Sequence, residues 1–258
     1  MSIESHRVSP WFLLLVAITV AGALLTVTGT PTAIAEGSSV QLTAGVVLLV
    51  LGGWAVSLCL HEFGHAAVAY RGGDREVRDK GYLTLDIRRY ADLGLSIVLP
   101  IVILLVGGIP LPGGAVWINH AAIRSRGMRS LVSLAGPATN LVIGGLLTAA
   151  VVLVPDMPIG LAVGLSCLAF IQVLAFVLNI IPIPGLDGFG VIEPFLSLNT
   201  RRMAARVRPW APLVLLGLLI AVPGVSSAFF QVGATVFAAV GGDASLAFAG
   251  YSELLFWR

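Results

Sequence analysis

The run "LCLHEFGHAAVAY", residues 58 to 70, sets two histidines and a glutamate in a segment otherwise apolar enough to span a membrane. Ionisable side chains are costly at bilayer depth and mark functional sites by default. On an α-helix residues i and i+4 share a face, so His61 and His65 can present both imidazoles to one metal ion. Glu62, one step round, can reach a water there and act as its general base. The pattern implies an open site: two protein nitrogens, a third protein ligand, and a water whose pKa zinc lowers to about 7. The alternative is a pair of packed histidines satisfied by their neighbours.

The rest of the chain supplies the membrane. Of 258 residues, 57% are hydrophobic and 11% charged, where a soluble domain carries roughly a quarter charged. Mean hydropathy is +0.98, and several apolar runs reach the roughly 20 residues that a spanning helix needs. The sequence reads as one polytopic, α-helical membrane domain over 1–258, with helices at 11–28, 41–70, 130–154, 159–181 and 209–225. A further apolar stretch, 228–257, is interrupted by Gly241-Gly242-Asp243, giving about six crossings in all. Within the polar stretch 71–92, "YLTLDI" alternates apolar and polar residues and predicts a short strand. Ala33-Ile34-Ala35 resembles a signal cleavage site, but the apolar run before it is long for a signal peptide, which favours an uncleaved first helix. Cys59 and Cys167 both fall in apolar runs without CxxC spacing and read as buried small hydrophobes.

Basic residues set an orientation. Of the 15 Lys and Arg, 13 cluster in 71–92, 124–129 and 201–208, the others being Arg7 and Arg258, and none falls in 29–40, 155–158 or 223–227. The positive-inside rule puts the basic loops in the cytoplasm, and the small net charge of +2 suggests no nucleic-acid partner. The stretch 93–118 has basic loops at both ends and is broken by Pro100, Gly107-Gly108, Pro110 and Pro112-Gly113-Gly114. A re-entrant, hairpin-like segment accommodates both features, a kinked helix only one.

The third ligand is open among His120, Asp86, Asp92, Asp187 and Glu193. Asp187 is favoured, because "NIIPIPGLDGFG" forces an irregular turn that can aim a side chain into the membrane; otherwise it reads as a helix N-cap before "VIEPFL". Asn140, in "SLAGPATN" (133–140), sits about ten residues into its helix, near the depth of the histidines. Its amide could bond a substrate carbonyl or oxyanion, or serve as interhelical glue among small residues. Asn179 faces the same choice less strongly.

HEFGH, "AGPATN" and "NIIPIPGLDG", in that order, make residues of about 41 to 195 resemble the site-2 protease family of intramembrane zinc metalloproteases. The resemblance implies one zinc ion held by His61, His65 and Asp187, catalytic Glu62, and Asn140 beside the active site. It also likens "GGIPLPGGAVWIN" to the family's membrane-embedded β-structure. Phe189 follows Gly188 where many members carry Gly, and neither a PDZ domain nor a nucleotide-sensing domain fits the chain. The implied activity is cleavage of a peptide bond in or near a transmembrane segment of a protein substrate. That segment would unwind and pair with an edge strand around Ala115-Val116-Trp117-Ile118. The expected location is the cell membrane, with the site nearer the cytoplasmic face. Rival readings are a zinc transporter or sensor, and an inactive homologue acting as a binding partner; neither needs a base at Glu62.

Overall fold

A computed structural model describes residues 8–36, 39–90 and 116–257. Two long antiparallel helices open the chain, α1 (Pro10–Glu36) and α2 (Val40–Gly72). Three threonines of α1 are satisfied within the helix, as lipid requires. Thr19 and Thr30 donate their hydroxyls to the carbonyls four residues back, and Thr26 to the one three back. Ser39 caps the start of α2 by accepting from the Leu42 N–H at 3.2 Å. Glycines bring the two backbones into direct apposition. A Cβ at Gly29 would lie 2.6 Å from the Leu42 nitrogen, one at Gly45 would lie 2.6 Å from the Thr26 nitrogen, and Gly22 meets Leu49 in the same way.

Two short helices follow, α3 (Glu76–Asp79) and α4 (Ile87–Tyr90). The next long helix, α5 (Arg126–Leu153), is capped by Ser125, which accepts from the Met128 N–H at 3.1 Å. Helix α6 (Ile159–Asn179) is the centre of the bundle, with 78% of its apolar window buried against 17% for α1. Around α6 the core joins Val50 and Trp54 of α2 to Leu168, Ile171, Leu174 and Phe237. Then come α7 (Asp187–Ile192), a 3-10 turn at Glu193–Phe195, α8 (Leu198–Val207), α9 (Ala211–Ala221), α10 (Pro223–Ala239) and α11 (Ala244–Leu254).

Four of these helices, α1, α2, α5 and α6, are long and apolar enough to cross a membrane. The pair α8 and α9, bent by 58°, makes a fifth if taken as one broken span. The described residues therefore carry four or five candidate crossings where about six were expected. The shortfall lies near the C-terminus. Pro223 starts a new helix where 209–225 was expected to continue, and Gly241, at φ +87°, lies in the break between that 17-residue helix and the 11-residue α11. The expected re-entrant segment falls mostly on 91–115, outside the described residues.

The strand expected at "YLTLDI" is absent; 80–85 is a run of turns. Its alternation misleads because local hydrogen bonds take the backbone. Tyr82 N–H donates to the Val77 carbonyl, Thr84 N–H to that of Gly81, and Leu85 sits at φ +59°. Asp86 then caps α4, accepting from the Arg88 N–H at 3.1 Å and from its guanidinium at 2.7 and 2.9 Å. Cys59 and Cys167 are buried and free, as the sequence suggested.

Candidate active site and metal centre

The i, i+4 spacing on α2 turns both histidines to one side, and their Nε2 atoms approach to 3.1 Å. Asp187, the first residue of α7, brings Oδ2 to 3.2 Å from His61 Nε2 and 3.4 Å from His65 Nε2. The turn that delivers it passes through Gly185 at φ +104°, a conformation that suits only glycine readily. Ser130 of α5 ties this region down by donating to the Val191 carbonyl at 2.6 Å.

The other nitrogen of each ring is already engaged. His61 Nδ1 meets Asn140 Oδ1 at 2.5 Å, and His65 Nδ1 meets the Val132 carbonyl at 2.6 Å. Both partners are acceptors, so each Nδ1 carries the proton and each Nε2 presents a lone pair. Two lone pairs and a carboxylate aimed at one point repel one another unless a cation or an added proton lies between them. The spacing fits a cation. Donors about 2.0–2.1 Å from one zinc ion at tetrahedral angles lie roughly 3.3–3.4 Å apart, close to the distances seen. Hydrogen-bonded Nδ1 atoms are also what orients metal-ligating histidines.

Helix α5 closes over this cluster through Gly136. A Cβ there would fall 2.5 Å from His61 Nε2 and closer still to His65 Nε2. Gly64 makes the reciprocal approach, since a Cβ on it would meet Thr139 Oγ1 at 2.8 Å. The two glycines thus let HEFGH and AGPATN interlock. Glu62, 3% exposed, accepts a hydrogen bond from the Val116 N–H at 3.0 Å. The irregular segment Val116–Asn119 is held in turn by two other acids. The Asn119 N–H donates to Asp74 Oδ2 at 2.7 Å, and Asn119 Nδ2 donates to Glu76 Oε1 at 2.8 Å.

Among the described residues, His61, His65 and Asp187 are the group that could hold a metal ion, with one ligand atom from each all within 4.8 Å of one another. Asp86 is committed to Arg88, whose guanidinium holds its carboxyl below the usual range. His120 and Glu193 are outside the group, and Asp92 lies beyond the described residues. Asn140 is beside the cluster, but its oxygen faces His61 and its Nδ2 donates to Gln172 Oε1 at 2.8 Å. Sequence reasoning missed Gly136 and Gln172, and it read Val116 as part of a substrate-pairing edge rather than as a donor to Glu62. The first sat inside a quoted motif, while a single glutamine in an apolar helix gave no pattern to read.

Comparison with known proteins finds relatives named as zinc metalloproteases. The chain is 45% identical over 98% of its length to a Mycobacterium tuberculosis protein named "Putative zinc metalloprotease Rip2", covering 96% of that protein. A Mycolicibacterium smegmatis protein of the same name is 43% identical at the same coverage. The chain belongs to the site-2 protease family. A more distant site-2 protease relative, "Putative zinc metalloprotease YwhC" of Bacillus subtilis, is 28% identical over 64% of this chain and 77% of its own length. No protein-family model and no solved structure matches the chain.

Proposed function

We propose that this protein is an intramembrane zinc endopeptidase that hydrolyses a peptide bond in or near a transmembrane segment of a protein substrate. The observation that carries the proposal is the convergence of His61 Nε2, His65 Nε2 and Asp187 Oδ2 inside a membrane-spanning bundle, with Glu62 next in sequence to one of them. The relatives' names agree with a zinc-dependent peptidase.

In this reading His61, His65 and Asp187 hold one zinc, and bound zinc supplies a Lewis acid that acidifies water and polarises the scissile carbonyl. Glu62 takes the proton of the attacking water and passes it to the leaving amine. Its carboxylate is kept in place by the Val116 N–H. Asn140 acts through His61, holding that ring's Nδ1–H so that Nε2 stays aimed at Asp187. His61, Glu62 and His65 are buried, so entry of water and substrate to them would be gated.

The substrate segment has to unwind, because a helix hides its carbonyls. The stretch around Ala115–Ile118 is the candidate edge for pairing with it, using amides other than that of Val116. The re-entrant reading of 93–118 would bring this edge to membrane depth. By the positive-inside rule the basic loops support a site nearer the cytoplasmic face of the cell membrane.

Reconstitution in liposomes with a transmembrane peptide, alongside a zinc-flux dye, tests the reading. Cleavage by the wild type and none by Glu62→Gln, with zinc retained and no flux, is the expected result. Zinc flux that persists in Glu62→Gln, with no peptide cut by either protein, would make it a transporter instead.

A further inference from the structure

Gln172 is fully buried on α6, a helix otherwise almost wholly apolar. Its Oε1 accepts from Asn140 Nδ2, and its own Nε2 has no hydrogen-bond partner. A buried donor without a partner costs stability, and leucine or methionine here would avoid that cost. Packing therefore does not explain the glutamine. Its position at the end of a relay does: Gln172 Oε1 to Asn140 Nδ2, Asn140 Oδ1 to His61 Nδ1, and His61 Nε2 toward Asp187.

We infer that Gln172 is a positioning residue for the metal site, acting by keeping the Asn140 amide in its metal-competent orientation; this rests on the proposed zinc site. An asparagine side chain can turn either its oxygen or its amino group to a neighbour. A histidine that binds metal through Nε2 carries its proton on Nδ1, so Asn140 must face it with oxygen. That choice sends the Asn140 amino group into the bundle, where Gln172 Oε1 receives it. Without Gln172 the amino group has no such acceptor. The amide then gains by flipping, because a buried unpaired N–H is tolerated less well than a carbonyl with a free lone pair. After the flip the amino group donates to His61 Nδ1, and the ring's proton must move to Nε2, the atom that would hold the metal.

The relay predicts a separation of metal affinity from stability. In purified full-length protein, Gln172→Leu and the length-matched Gln172→Met should weaken zinc roughly 10-fold by chelator competition, the low end for an outer-shell change. The zinc-free melting temperature should be unchanged or higher. Asn140→Asp supplies the rescue, since a carboxylate has no amino group to strand and shows His61 an oxygen in either orientation. In that background, Gln172→Leu should change zinc affinity by less than about threefold, the mark of coupled residues. Zinc affinity within about twofold of wild type in both single variants would overturn the inference. So would equal weakening in both backgrounds accompanied by a lower melting temperature, which would make Gln172 a packing residue. If His61→Ala binds zinc as tightly as wild type, the metal-site reading itself fails, and that outcome is distinct from either of these.

Discussion

The backbone N–H of Val116 donates to Glu62 Oε2 at 3.0 Å, so a residue far along the chain controls the carboxylate beside the metal cluster. A main-chain donor cannot be lost by side-chain replacement, except by proline. Val116→Pro should release Glu62, lowering peptide cleavage about 10-fold or more, since hydrogen bonds to charged groups are worth about 1.5–3 kcal/mol. Zinc content should not change. Unaltered cleavage of a transmembrane substrate would show that Glu62 needs no such restraint.

Asp74 anchors the same segment from the other end. It is completely buried and accepts from both the Asn119 and the Glu76 N–H groups. Asp74→Ala leaves two donors without their acceptor, at about 1–3 kcal/mol each. Protease sensitivity around residues 116–122 should rise, and cleavage should fall through the loosened Val116 contact. Protection equal to wild type would mean that other contacts hold the segment.

Gly136 tolerates no side chain. Gly136→Ala places a carbon where the two imidazole nitrogens now lie, so α5 and α2 must separate or the rings must rotate. Zinc should be lost at least 10-fold in affinity, as for disrupted ligand geometry. Gly145, on the same helix with open space around it, is the control, and Gly145→Ala should bind zinc normally. Equal zinc affinity in the two variants would remove Gly136 from the site.

Asp187→Ala should strip most of the zinc from the purified protein, because two imidazoles are too few to hold it tightly. Full zinc retention would move the third ligand elsewhere, with Glu193 or His120 the next to replace.

The His-Glu-x-x-His pattern was legible because its chemistry is local: the helix alone puts His61 and His65 on one side. Asp187 could be favoured but not fixed, since its approach depends on how a Pro/Gly turn packs against α5. The strand expected at "YLTLDI" failed because alternation cannot report turn hydrogen bonds such as that from Tyr82 to Val77. Gly136 and Gln172 were invisible for a related reason. What each does depends on which helix faces it, and a single sequence does not carry that information.

The glycine seam between α1 and α2 has a consequence for where the protein would cut. At Gly22, Gly29 and Gly45 the two backbones touch. Sliding one helix past the other by a turn, about 5.4 Å, would drive side chains into every one of these seats at once. The pair is thus ratcheted, and HEFGH rides at a set distance along α1. On the proposed reading the first helix helps to fix the depth of the metal cluster, so the cut would fall at a set distance from the membrane surface.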